Sequence, residues 1–148
     1  MDTATNDRPI QPPADHALVD RFRGKYLGLT TFKRDGAGVT TPVWFVVDDG
    51  QLLVLTASRS FKVRRIRRNP DVTVAPCTAS GRLRGEPVPA RARLLAASEL
   101  PRVEQLLNRK YRVDRILILP IYRAVQRLRG VRGEASDAAL AITPDPPA

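Results

Sequence analysis

The side chains that enzymes most often use for acid–base, nucleophilic or metal chemistry are scarce in this chain. There is one cysteine, Cys77. That excludes an internal disulfide framework and any multi-cysteine metal site, and it fits a reducing cytoplasm. It falls in an apolar run, where an inert core thiol is the expected role. The single histidine, His16, sits in a polar N-terminal stretch expected to be disordered. This argues against a histidine triad and a histidine metal cluster, and no metal site is expected. Acids number 15 against 25 basic residues, and no carboxylate pair stands out for glycosidase-type work. Aromatics are only 5%, with no visible stacking platform for single-stranded nucleic acid. No apolar run approaches the ~20 residues of a membrane span. The beginning, MDTATNDRPIQPPADH, lacks the apolar region of a signal peptide. Walker A and HExxH patterns are absent. Gly36-Ala37-Gly38 only begins a GxGxxG pattern, with Thr41 in its last position and a strand where a dinucleotide fingerprint needs a helix. An enzyme with this composition would take its chemistry from a cofactor.

What the chain does have is positive charge, +10 in 148 residues, with 21 arginines and 4 lysines. The length suits one domain with a real core. The charge points to an anionic partner: nucleic acid, a membrane surface or a phosphorylated small molecule. The competing reading is a solvated basic face.

The patterning is mainly β. A polar, proline-rich arm over residues 1–13 precedes an amphipathic helix over Ala14 to Phe22, with Leu18, Val19 and Phe22 on one face. Strands are predicted over Tyr26 to Lys33, Val39 to Asp48 and Gln51 to Ala57, with Asp49-Gly50 a two-residue hairpin turn. Ser60 caps a short helix that turns Val63 and Ile66 inward and ends before Asn69-Pro70. Further strands follow over Asp71 to Thr78 and Val88 to Ala96. Pro87 and Pro89 place the latter's start at an edge or bulge. Ser98-Glu99 opens a helix carrying Leu100, Val103, Leu106 and Leu107. Val113 to Leu128, interrupted by Pro120, is expected to be helical, with Arg112, Arg115, Arg123 and Arg127 on one solvated side. Ala135 to Ile142 is a last strand, and residues 144–148 form a polar tail. About six strands joined by tight turns make a mainly antiparallel sheet, and closure into a barrel would remove its edges.

One stretch stands out. LTASRSFKVRRIRRNP, residues 55–70, carries six basic side chains and no acid. Cations near a helix start oppose the positive end of the macrodipole, at a few tenths to ~1 kcal/mol each. An anion held between them removes that cost. As hairpin neighbours, the second and third strands would bring Thr41 to Trp44 into the same space as Thr56. Ser60 and Lys62 would lie beyond it at the helix start. Backbone N–H groups there suit a phosphate, Thr56 and Ser60 can donate hydroxyl hydrogen bonds, and Lys62 adds a point charge.

Leu55-Thr56, Ser60-Phe61-Lys62, Ile66 and Asn69-Pro70 together resemble the flavin-binding segment of the pyridoxamine 5′-phosphate oxidase-like split β-barrel proteins. The stretch TTPVWFVVDDGQLLVLTASRSFKVRRIRRNPDVTVAPCTASG resembles more closely the actinobacterial branch that binds deazaflavin coenzyme F-420. The likeness spans Tyr26 to about Leu95, in matching strand order. It implies a mainly β fold with peripheral helices: a six-stranded, FMN-binding split barrel-like domain over residues 14–143, working as a homodimer with two cofactor sites at the subunit interface. It places the cofactor phosphate on Thr56, Ser60 and Lys62 and the ring system along Thr41, Pro42, Val43 and Trp44. Ala57, Phe61 and Arg65 complete the candidate set. The flavin enzymes usually carry Arg-Lys where this chain has Phe61-Lys62, which weakens the case for FMN. Arg59 or Arg65 is the available substitute. The arginine excess suits the phosphodiester and anionic oligoglutamate tail of the deazaflavin. The implied activity is hydride transfer from reduced coenzyme F-420 to an electron-poor small molecule, with no catalytic residue assignable. The alternatives are a non-catalytic flavin or deazaflavin carrier and a basic nucleic-acid binder.

Overall fold

The structure is a computed structural model and describes residues 14–111 and 137–145. Three α-helices are present among them, α1 (Ala14–Arg21), α2 (Phe61–Arg68) and α3 (Leu100–Lys110), with a short 3-10 turn over Ala97–Glu99 leading into the last. Seven strands form one sheet: β1 (Tyr26–Phe32), β2 (Gly38–Val43), β3 (Val46–Asp48), β4 (Gln51–Thr56), β5 (Asp71–Cys77), β6 (Val88–Leu94) and β7 (Ala138–Pro144). All neighbours are antiparallel, in the order β2-β1-β5-β6-β7-β4-β3.

This order explains the one strand that the sequence pattern misplaces. Val39 to Asp48 reads as a single strand, but the run breaks at Trp44-Phe45. Its first half pairs with β1 at one border of the sheet, its second half with β4 at the other. Two short strands replace one, and the linking residues close the curled sheet into the split barrel. The break is held from α3. The Tyr111 hydroxyl accepts the Phe45 N–H at 3.1 Å. It also lies 2.7 Å from the Lys25 carbonyl and 2.9 Å from that of Phe45. The Lys110 ammonium donates to the same Phe45 carbonyl at 2.9 Å. Buried backbone that leaves a ladder needs such partners.

Alternation then sorts the side chains. Leu27, Leu29, Leu52, Val54, Val72, Val74, Ala90, Ala92, Leu140 and Ile142 fill the barrel, with Phe45, Leu18 and Phe22. The opposite faces of β4 and β7, through Leu53, Ala139 and Ala141, pack under Val103, Leu107 and Tyr111 of the α3 region. Each of these large side chains contributes on the order of 1.5–3 kcal/mol by burial. Val19, expected on the inner face of α1, is instead half exposed; Leu18 and Phe22, four residues apart, face inward alone. His16 falls within α1 rather than in an arm.

Asp49 and Gly50 adopt φ of 49° and 73°, the left-handed pair that a two-residue hairpin turn requires. β6, whose prolines suggested an edge, lies inside the sheet between β5 and β7. Pro89 sits beside Thr73 at the strand's start, and its carbonyl accepts the Asp145 N–H at 2.8 Å, so the missing donor falls where pairing with β7 is only beginning. The helix expected over Val113 to Leu128, with Pro120 and its arginines, lies outside the described residues.

Candidate functional site

α2 is short and strongly sided. Val63 and Ile66 are buried against the sheet, and Ser60 caps the first turn in an extended conformation. The Ser60 hydroxyl accepts the Val63 N–H at 3.4 Å. The Asn69 N–H closes the far end on the Arg65 carbonyl, just before Pro70. The basic residues distribute unevenly. Arg65, Arg67 and Arg68 occupy the last turn, where the macrodipole favours them. The unfavourable positions are those of Arg59, Lys62 and Arg64.

Around the cap the chain forms a compact polar corner. Thr56, 5% exposed, ends β4, and its hydroxyl lies 3.4 Å from that of Ser60. The Lys62 ammonium donates to the Thr56 hydroxyl at 3.3 Å. Burial lowers the Lys62 pKa from its ordinary value, and the neighbouring Arg65 lowers it further. No carboxylate among the described residues pairs with Lys62. A desolvated ammonium that faces another cation, with a hydroxyl for company, is an electrostatic setting that an anion relieves.

The loop before the helix is tied down from the far end of the chain. Asp137 accepts from the Ser58 N–H at 2.7 Å and from the Ser58 hydroxyl at 2.8 Å. These two bonds hold its carboxyl below the usual range, with a further contribution from Arg59. On its other side α2 is fastened to β1. Arg65 Nε donates to the buried Thr31 hydroxyl at 2.6 Å, and Arg68 to the Phe32 carbonyl at 2.7 Å.

The candidate residues therefore fall into three groups. Thr56, Ala57, Ser60 and Lys62 come together at the cap. Phe61 and Arg65 lie on the adjacent outer flank of α2, lining an open cleft of about 500 Å³ with Lys33, Arg34, Arg64 and Arg68. Thr41, Pro42 and Val43 pair with Leu29, Gly28 and Leu27 of β1, not with β4 as the hairpin reading expected. The cause is the strand break at Trp44-Phe45. Val43 points into the barrel core. Trp44 is half buried and stacks on Tyr111, ring centres 4.6 Å apart and 5° from parallel. One of its faces is thus already covered. No hydrogen bond among the described residues joins the Thr41 to Trp44 group to the cap.

Asp137, Thr31 and the Lys33-Arg34 side of the cleft carry no pattern that sequence reasoning singles out. Each is brought to α2 by strand order. Cys77 is buried and unpaired, and burial raises its thiol pKa, as suits a core residue. The described residues contain no cluster of His, Cys, Asp and Glu that would hold a metal ion, and no helix among them is long and apolar enough to cross a membrane.

Against known proteins, residues 14–136 match the family model described as pyridoxamine 5′-phosphate oxidase. No curated protein matches the chain. Among solved structures, the heme storage protein HutZ from Vibrio cholerae is similar at a TM-score of 0.58 and 15% identity, with 93% of each chain covered. General Stress Protein 26 from Bacillus anthracis str. Sterne is similar at 0.55 and 20%, with 88% of each chain covered. A structure named as an F-420 reductase is similar at 0.52 and 19%, covering 85% of this chain and 90% of that one. At these identities the likenesses speak for the fold.

Proposed function

From the premise that this chain belongs to the pyridoxamine 5′-phosphate oxidase family, we propose that it is an oxidoreductase dependent on coenzyme F-420, acting on an electron-poor small molecule. The observation that carries the reading is Lys62, desolvated and beside Arg65, with the Thr56 hydroxyl as its hydrogen-bond acceptor.

The residues at the cap fit the phosphate end of such a cofactor. Lys62 and the Thr56 and Ser60 hydroxyls supply charge and donors, and the first N–H groups of α2 add to them. Asp137 keeps the 57–60 loop in place through Ser58. Arg65, held by Thr31, adds positive potential from the flank. Phe61 stands where the flavin enzymes carry arginine and is 72% exposed. It offers no charge to a phosphate, which suits the singly charged phosphodiester of the deazaflavin better than the terminal phosphate of FMN. When bound, the deazaflavin supplies a hydride from its central ring. The chain's contribution is anchoring, orientation and a surface that excludes water along Thr41, Pro42 and Trp44.

The anchoring role has a direct test. Titration with coenzyme F-420, followed by fluorescence, is expected to show an affinity that falls ~10–100-fold in Lys62→Ala, the worth of a charge-assisted hydrogen bond. Lys62→Arg recovers part of it. An unchanged affinity in Lys62→Ala removes the anchor. FMN titrated in parallel decides between the cofactors.

A second reading is a carrier that holds the cofactor without turnover. It is favoured by the make-up of the cap, where the described residues include hydroxyls and cations but no carboxylic acid or imidazole placed to manage a proton. Assays with a supply of reduced cofactor separate the two. We also propose a homodimer, with the partner completing the ring-binding side; sedimentation velocity tests it, and a monomer at micromolar concentration overturns it.

A further inference from the structure

The outer flank of α2 is chemically unlike the cap. Phe61, Arg64, Arg65 and Arg68 recur at the spacing that places side chains on one helical stripe. Across from them the β1–β2 turn contributes Lys33 and Arg34, and the two elements flank the open cleft of about 500 Å³. That volume lies in the ~300–1,000 Å³ range of small-ligand sites. Five of its six lining residues are cations and none is an acid. No carboxylate among the described residues forms a salt bridge with any of them. Asp35, the acid nearest in sequence, accepts from the Ala37 N–H within its own turn. Arg65 and Arg68 each make one described bond to β1 and keep further guanidinium donors.

The sixth residue is Phe61, the most exposed large apolar side chain among the described residues, at 72%. A phenyl ring left in water amid guanidinium groups has no role in the barrel core, which α2 meets through Val63 and Ile66. An aromatic face beside phosphate-binding cations is the combination that takes a planar base and its phosphates together.

We infer that this cleft is a second anion site, and that its ligand is a nucleoside polyphosphate with the base on Phe61 and the phosphates among Lys33, Arg34, Arg64 and Arg68. A single nucleotide fits better than a strand of nucleic acid, because strand binding draws on successive aromatic platforms and the cleft has one. The cleft shares Phe61 and Arg65 with the candidate cofactor set, but Thr56, Ser60 and Lys62 do not line it, so the two sites can be tested separately.

Equilibrium dialysis of the full chain with ATP, tripolyphosphate, adenosine and a mixed-sequence single-stranded DNA tests it. ATP is expected to bind roughly tenfold or more tightly than tripolyphosphate, in keeping with the stacking of one base. Phe61→Ala abolishes that advantage and leaves tripolyphosphate binding unchanged, whereas Phe61→Trp preserves it. Arg64→Gln weakens ATP and tripolyphosphate alike. Coenzyme F-420 at a concentration that just fills the Lys62 site leaves ATP bound. Four results overturn the inference: no ATP binding, tripolyphosphate equal to ATP, DNA tighter per site than ATP, or displacement of ATP by that concentration of coenzyme F-420 in the parent but not in Lys62→Ala. Failure of the cofactor anchor alone, seen with Lys62→Ala, touches none of the first three measurements.

Discussion

Two lysines in this molecule are desolvated, and they keep different company. Lys110, at the end of α3, lies 3.4 Å from the centre of the Phe45 ring and donates to the Phe45 carbonyl. Burial lowers its pKa to about 8. The π-face and the carbonyl are both electron-rich and offset part of the cost of burial within the chain. Lys62, at the start of α2, is shifted in the same direction but meets a hydroxyl and a second cation. Desolvation by itself does not mark a site for function. The sign of the neighbours does. Lys110 belongs to the closure of the barrel, and Lys62 to a place built for something from outside.

The largest effect is expected where the closure is removed altogether. Tyr111→Ala deletes a fully buried ring and leaves Phe45 backbone groups without their hydroxyl, and should cost ~3–5 kcal/mol in urea unfolding. Lys110→Met should stay within ~1 kcal/mol of the parent at neutral pH, because the lost hydrogen bond to the Phe45 carbonyl is offset by removal of an ammonium that burial disfavours. Lys62→Met should raise stability slightly, by ~0.5 kcal/mol, since it removes a charge that burial and then Arg65 disfavour. Equal losses from the two lysine variants would break the comparison.

pH provides the finest discrimination. The folded value for Lys110 is about 8, below the ordinary 10.5. Between those values the unfolded chain holds a proton that the folded chain has released, so stability should rise with pH across that window and the rise should vanish in Lys110→Met. For Lys62 the readout is ligand binding. An anion stabilises the ammonium and restores its lowered pKa. Binding therefore takes up a proton, and affinity should fall as pH rises through the lowered value of the free protein. A pH-independent affinity would count against contact between Lys62 and the bound anion.

Much of the framework was legible in local chemistry. The alternation of Leu27 with Leu29 and of Leu52 with Val54, the Asp49-Gly50 turn, and the Ser60 cap with its Asn69-Pro70 stop all act over a few residues. The broken strand was not legible, because Trp44-Phe45 continues an apolar run and carries no Gly or Pro to mark a corner. What bends the chain there is Tyr111, 66 residues beyond Phe45. The cap cluster of Thr56, Ser60 and Lys62 could be anticipated because strand and helix adjoin in sequence. Thr41 to Val43 pair with β1 and not with β4 for the same reason: nothing local marks the corner. Asp137 and the Lys33-Arg34 wall of the cleft depend on which strands meet, and strand order is a property of the whole sheet.

The run from Gly38 to Asp48 forms both borders of the sheet, one on each side of its corner. An open sheet frays from whichever margin is weaker, and the opposite margin is unaffected. Here the two margins are consecutive in the chain and share a buried fastening at Phe45; the part-exposed Asp48–Arg102 bridge on β3 adds little. Loosening that point frees both at once, so amide exchange along β2 and β3 should report one opening event rather than two.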